Sequence, residues 1–64
     1  MYPREEMIKI LEENIEEVKR KNDHGNRMYL LGLIMALQFD GDIRIINLIE
    51  EAHRFLNSTL PEVN

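Results

Sequence analysis

The feature that most constrains this chain is an uncharged run from Met28 to Leu37, in a 64-residue sequence of which 31% is charged. The run is long for a strand, and Met, Leu, Gly and Ala outnumber its β-branched residues. Both properties favour a helix. A helix that is apolar around most of its circumference is a buried one. We therefore predict a buried central helix over residues 26–39. After Asn26, its polar residues before the end are Arg27 and Gln38.

Helical spacing also marks the segments on both sides of this run. Residues 3–22 are predicted to form the first helix, because Pro3 suits a first helical position and apolar residues recur at intervals of three and four. Residues 42–56 are predicted to form the third, with Asp42 as its N-cap and a wide apolar face. The interpretation is an all-α fold, with a three-helix domain over residues 1–57 and a tail over residues 58–64.

The connections between the predicted helices carry turn and capping residues. Gly25 and Gly41 stand where a left-handed residue often ends a helix. Asn26 or Asp23 can cap the second helix. The sequence thus predicts two short loops, at residues 22–26 and 40–42.

The size of the chain makes self-association the expected source of extra stability. A domain of this length buries only about 60% of the surface that its unfolded chain exposes. The sequence has no cysteine, which excludes disulfides and thiolate metal sites. Two flanking helices cannot cover the whole circumference of the central helix, and soluble monomers rarely expose an apolar patch of several hundred Å². We predict a two-fold homodimer.

The predicted dimer interface centres on Tyr29, Gly32, Leu33 and Ala36. Gly32 and Ala36 are four residues apart, and Tyr29 falls on the same side of a helix. Small residues at this spacing let two helix backbones approach closely, as is best known from membrane proteins. The alternative is that Gly32 and Ala36 seat the first helix inside one chain.

The motifs with possible chemistry are incomplete. Glu50-x-x-His53 matches half of a ferritin-like di-iron site, but the first helix places its glutamates off its apolar stripe and the second has none. Asp40-Gly41-Asp42 lacks the later ligands of a calcium loop and is interpreted as a turn and a cap. Because no Ser/His/Asp or Cys/His set is present either, we predict no catalytic, cofactor-binding or metal-binding residues, and a protein that is not an enzyme.

The net charge of the chain and the length of its apolar run argue against nucleic acid and membranes as partners. The net charge of −4 gives no attraction to nucleic acid or anionic lipid, and the apolar run is too short to span a bilayer. The N-terminus lacks the pattern of a signal peptide, so we expect a cytoplasmic location. The predicted function is a non-enzymatic, homodimeric interaction protein that binds and regulates, or scaffolds, another protein. The alternative is a dimeric DNA-binding regulator, with a helix-turn-helix over Leu37–Glu50. Its reading helix, from Ile43 onward, would present two cations, Arg44 and Arg54, against two anions, Glu50 and Glu51.

Overall fold

The structure is a computed structural model that describes residues 3–62. Three helices account for most of these residues. They are α1 (Arg4–Arg20), α2 (His24–Leu37) and α3 (Ile43–Ser58), and no strand occurs in that part of the chain. The predicted all-α fold with three helices is therefore confirmed. The helices pack compactly into a body of 36 × 20 × 16 Å. The first residues of the predicted domain (1–57) and the last residues of the predicted tail (58–64) lie outside the described range.

The helix boundaries differ from the prediction by up to two residues. The second helix begins at His24 rather than at residue 26, because the carboxylate of Asp23 accepts the backbone N–H of Asn26 at 2.8 Å and so caps it. Gly25 therefore lies in the first turn of α2. Within residues 3–62 no glycine has a positive φ, so the left-handed role predicted for Gly25 and Gly41 is wrong.

The ends of α1 and α2 are formed without a left-handed residue. The backbone turns extended at Lys21, whose N–H still donates to the carbonyl of Glu17 at 2.8 Å. The last turn of α2 continues through Gln38 in a right-handed conformation. Asp42 caps α3 as predicted, through a bond of 2.9 Å from the N–H of Arg44.

The core lies between the three helices and confirms the apolar stripe predicted for α1. The four buried residues of α1 follow the predicted spacing of three and four, and α2 and α3 contribute three buried residues each. Among residues 3–62, the ten buried apolar residues are Ile8, Leu11, Ile15, Val18, Leu30, Ile34, Leu37, Ile45, Ala52 and Leu56. The wide apolar face predicted for α3 is only partly covered, because Ile43 and Ile46 are exposed.

Ion pairs connect the N-terminal end of α1 to the loop before α3. The Arg4 guanidinium donates to both carboxylate oxygens of Asp40, at 2.8 and 2.9 Å. Arg44 binds the carboxylate of Asp42 at 2.9 Å and that of Glu5 at 2.8 Å. These contacts join the start of α1 to the start of α3 at the surface of the molecule. Among residues 3–62, no helix combines the length and the apolar character that crossing a membrane requires.

Candidate interaction surface on the second helix

The second helix buries only one of its faces. Leu30, Ile34 and Leu37 lie in the core, whereas Met28, Tyr29 and Met35 are 53, 59 and 68% exposed. Within one chain the central helix is therefore only partly covered, as expected from two flanking helices, and its full burial in a dimer stays a prediction. The reason is that α1 and α3 both pack on the side that carries Leu30.

The exposed side of α2 forms a continuous stripe without a charged residue. At about 100° per residue its members fall within an arc of about 120°, centred almost opposite the buried face. Phe39, just past the end of the helix, continues this side and is 92% exposed. We call this surface the α2 stripe, and its residues are Gly25, Met28, Tyr29, Gly32, Met35, Ala36 and Phe39.

The structure brings three of the four predicted interface residues together on this stripe. Tyr29, Gly32 and Ala36 are all exposed, while Leu33 is half-buried at the margin and packs against the core. A Cβ atom built on Gly32 would meet nothing within 4 Å among residues 3–62, apart from its own helix and chain neighbours. Gly32 and Ala36 therefore do not seat α1, and that alternative is wrong.

The four large side chains of the stripe expose a substantial apolar area. At about 200 Å² for a fully exposed side chain of this size, the exposed fractions of Met28, Tyr29, Met35 and Phe39 amount to about 500 Å². This value lies within the range of the largest patches on ordinary monomers, which are often functional.

Gly32 has no structural requirement inside the chain. Its φ is negative and the space beside it is open, so alanine would fit. Glycine in a helix interior is less stable than alanine by about 1 kcal/mol. The helix thus carries an unfavourable residue at the centre of its exposed apolar face.

The one arginine of α2 points away from the stripe and holds the C-terminal end of α3. Arg27 donates to the carbonyl of Leu56 at 3.0 Å and to the hydroxyl of Thr59 at 2.9 Å. It also donates to the side-chain oxygen of Asn22 at 3.0 Å. A cation is favourable at the negative end of a helix dipole, where the last carbonyls lack helical partners.

Asn22 completes this arrangement, which we call the Arg27 clasp. It is a buried polar residue, and its side-chain amide donates to the carbonyl of Leu60 at 3.2 Å. The backbone N–H of Glu62 donates to the carbonyl of Asn22 at 2.7 Å. Residues 59–62, which the sequence assigned to a tail, are thereby packed against the α1–α2 loop.

The clasp was not predicted from the sequence. The sequence feature that could have indicated it is Arg27, the single arginine in a helix with almost no other charge, because such a side chain often binds a polar group elsewhere in the fold. That partner is supplied by residues about thirty positions away, near the end of α3.

The carboxylates of the α2–α3 loop are engaged within the chain. The N–H of Asp42 and the guanidinium of Arg4 lower the pKa of Asp40 below its ordinary value. Hydrogen bonds from the Arg44 side chain and its backbone N–H lower the pKa of Asp42. These contacts agree with the interpretation of the segment as a turn and a cap.

The remaining candidate residues for chemistry lie on the surface of α3. Glu50 and His53 are both exposed. In the part of the chain that the structure describes, no three His, Asp or Glu residues are grouped as a metal site would require. The α2 stripe is therefore the candidate functional surface. In comparisons with known proteins, the chain matches no family model, no curated protein and no solved structure.

Proposed function

We propose that this chain is a non-enzymatic helical interaction module that works as a homodimer and binds a protein partner, which it regulates or scaffolds, in the cytoplasm. The observation that carries the proposal is the α2 stripe. A continuous, uncharged helix face of this size is often a functional surface, and the lack of charge fits an apolar contact with another molecule. The second copy is the occupant that we propose for it.

The area of the stripe is in the range that a weak or moderate dimer needs. Two copies that bury it against each other remove about 1,000 Å² from water through the four large side chains alone, counting about 500 Å² on each. A specific interface generally requires at least about 1,000 Å². Ala36, Leu33 and the flanking backbone would add to this area.

The absence of charge on the stripe favours a copy of the same chain over an oppositely charged partner. The net charge of −4 is carried by the other parts of the molecule, and none of the seven stripe residues is acidic or basic. Two copies can therefore approach through α2 without bringing like charges into direct contact. A two-fold interface uses the same patch on both subunits, as this arrangement requires.

The test is the oligomeric state of two matched variants, measured by sedimentation equilibrium. Met35→Glu places a charge on the stripe, where the side chain is 68% exposed. Ile43→Glu makes the same chemical change on α3, at a side chain that is 64% exposed. We expect a dimeric wild type, a monomeric Met35→Glu variant and a dimeric Ile43→Glu variant.

Each variant remains folded in this expectation, because surface substitutions of exposed residues usually change stability by less than about 0.5 kcal/mol. Circular dichroism of both variants checks that point. A wild type that is monomeric at several hundred micromolar would refute the homodimer. A Met35→Glu variant that stays dimeric would move the interface away from α2.

The protein partner would use surfaces that the dimer leaves open. Ile43 and Leu60 are exposed apolar residues on other parts of the chain, with Leu60 at the end held by the Arg27 clasp. The DNA-binding alternative has less support, because Arg44, one of its two cations, is already bound to Asp42 and Glu5. Salt-dependent binding of the purified dimer to duplex DNA would favour that alternative instead.

A further inference from the structure

The sizes of the residues along the α2 stripe indicate how two copies would pack. We infer that the two α2 helices pair antiparallel, with the two-fold axis passing beside Gly32. This inference rests on the proposed homodimer and goes beyond it by fixing the orientation and register of the pair.

In an antiparallel pair, large and small residues of the two α2 stripes face each other. If Gly32 faces Gly32 of a second copy, each position faces the one equally distant on the other side of the glycine. Phe39 then faces Gly25, and Met28 faces Ala36. At both levels a large side chain meets a small one, which allows the two surfaces to interlock as close packing requires.

The next level inward also fits this register. Tyr29 faces Met35, and a methionine sulfur against an aromatic ring is a favourable contact. At the centre the two glycines face each other and let the backbones approach to the short end of the usual helix separation of about 8–10 Å. This close approach gives Gly32 the role that it lacks inside one chain.

A parallel pair in register would lose this complementarity. Phe39 would face Phe39, and Met28 would face Met28, so large residues would hold the helices apart at both levels. Ala36 and Gly25 would face their own copies across the resulting gaps. Voids of this kind forfeit the contacts that stabilise a packed interface.

The helix dipoles favour the same orientation. The last turn of α2 carries no basic residue to balance its negative end. In an antiparallel pair, the negative end of each α2 lies beside the positive end of its partner. In a parallel pair, ends of the same sign lie side by side.

Disulfide cross-linking tests the orientation, because the chain has no cysteine and each introduced thiol is unique. Met28→Cys and Ala36→Cys are prepared separately, and also mixed, unfolded and refolded together before mild oxidation. In the antiparallel pair, residue 28 faces residue 36 of the other copy. Residue 28 of one copy is then about 12 Å along the helix from the level of residue 28 of the other. A disulfide needs Cα atoms within about 7 Å.

We therefore expect a covalent dimer from the mixture, and from each single variant only the background that random collisions produce. Glu13→Cys, at an exposed position on α1, measures that background. Tyr29→Cys mixed with Met35→Cys provides a second pair in the same register, should one member of the first pair fail to fold.

The outcomes separate this inference from the homodimer itself. Efficient cross-linking of Met28→Cys alone would show a parallel pair, and would overturn the inference while the homodimer stands. A wild type that sediments as a dimer, with no cross-link above background in either mixture, would overturn it by placing the contact elsewhere. A monomeric wild type would refute the proposed homodimer as well.

Discussion

Replacing Gly32 with alanine should have opposite effects in a monomer and in the proposed dimer. In a monomer the added methyl group meets open space, so the change acts through helix propensity. Alanine is favoured over glycine in a helix interior by about 1 kcal/mol. A monomeric protein should therefore gain about this much free energy of unfolding.

In the dimer the same methyl group enters the closest contact between two backbones. Overpacking of a tight contact costs about 1–3 kcal/mol. The two-fold axis places the clash in the dimer twice, so dissociation becomes more favourable by about 2–6 kcal/mol. The dissociation constant should rise by a factor of about 30 or more, since each 1.4 kcal/mol is about tenfold.

The assay is urea unfolding at about 2 µM and about 200 µM protein, combined with sedimentation equilibrium. At the low concentration Gly32→Ala should be more stable than the wild type. At the high concentration the wild type should gain stability through association, and the variant should not. Gly41→Ala is the matched control, because its added Cβ also meets open space and it lies outside the stripe. Equal stabilisation of Gly32→Ala at both concentrations, with dimerisation as strong as that of the wild type, would refute a close backbone contact at Gly32.

Two further predictions concern the parts that hold the chain together. Arg27→Ala should lower the free energy of unfolding by about 2 kcal/mol, because it removes charged hydrogen bonds at a helix end. The control, Arg54→Ala at an exposed position of α3, should change it by less than about 0.5 kcal/mol. Equal effects of the two substitutions in urea unfolding would contradict the role of the clasp. The lowered pKa of Asp42 means that its ionised form stabilises the fold fully above its ordinary value of 3.8, and that this stability is lost as the pH falls further through the folded value. Asp42→Asn should therefore weaken the loss of stability between pH 5 and pH 2 in thermal unfolding, and a variant with the wild-type acid profile would rule out this contribution.

The sequence predicted α1 and the cap of α3 well because local signals determine them. The stripe from Ile8 to Val18 has one clear period, and Asp42 is the one good capping residue at its position. The start of α2 was off by two residues because Asp23 and Asn26 are both acceptable caps. Local sequence does not rank them.

The buried face of α2 could not be predicted for a related reason. A helix that is apolar nearly all round has no polar side to indicate which face meets the core. The grouping of Tyr29, Gly32 and Ala36 on one face follows from helical geometry alone, and it was correct. That this face is the exposed one depends on where α1 and α3 pack. The bonds of Arg27 likewise depend on residues that only the folded chain brings close.

The Arg27 clasp also has a consequence for the order in which the chain folds. The α1–α2 and α2–α3 contacts join helices that are neighbours in the sequence, and chains rich in such local contacts fold quickly. The bonds of the clasp to the end of α3 and to residues 59–62 join positions 29 to 40 apart, a separation similar to that of the α1–α3 ion pairs, so they close long loops and we expect them to form late. Interactions that are absent from the transition state mainly slow unfolding. The clasp should therefore set how long the folded chain persists, and have little influence on how fast it forms.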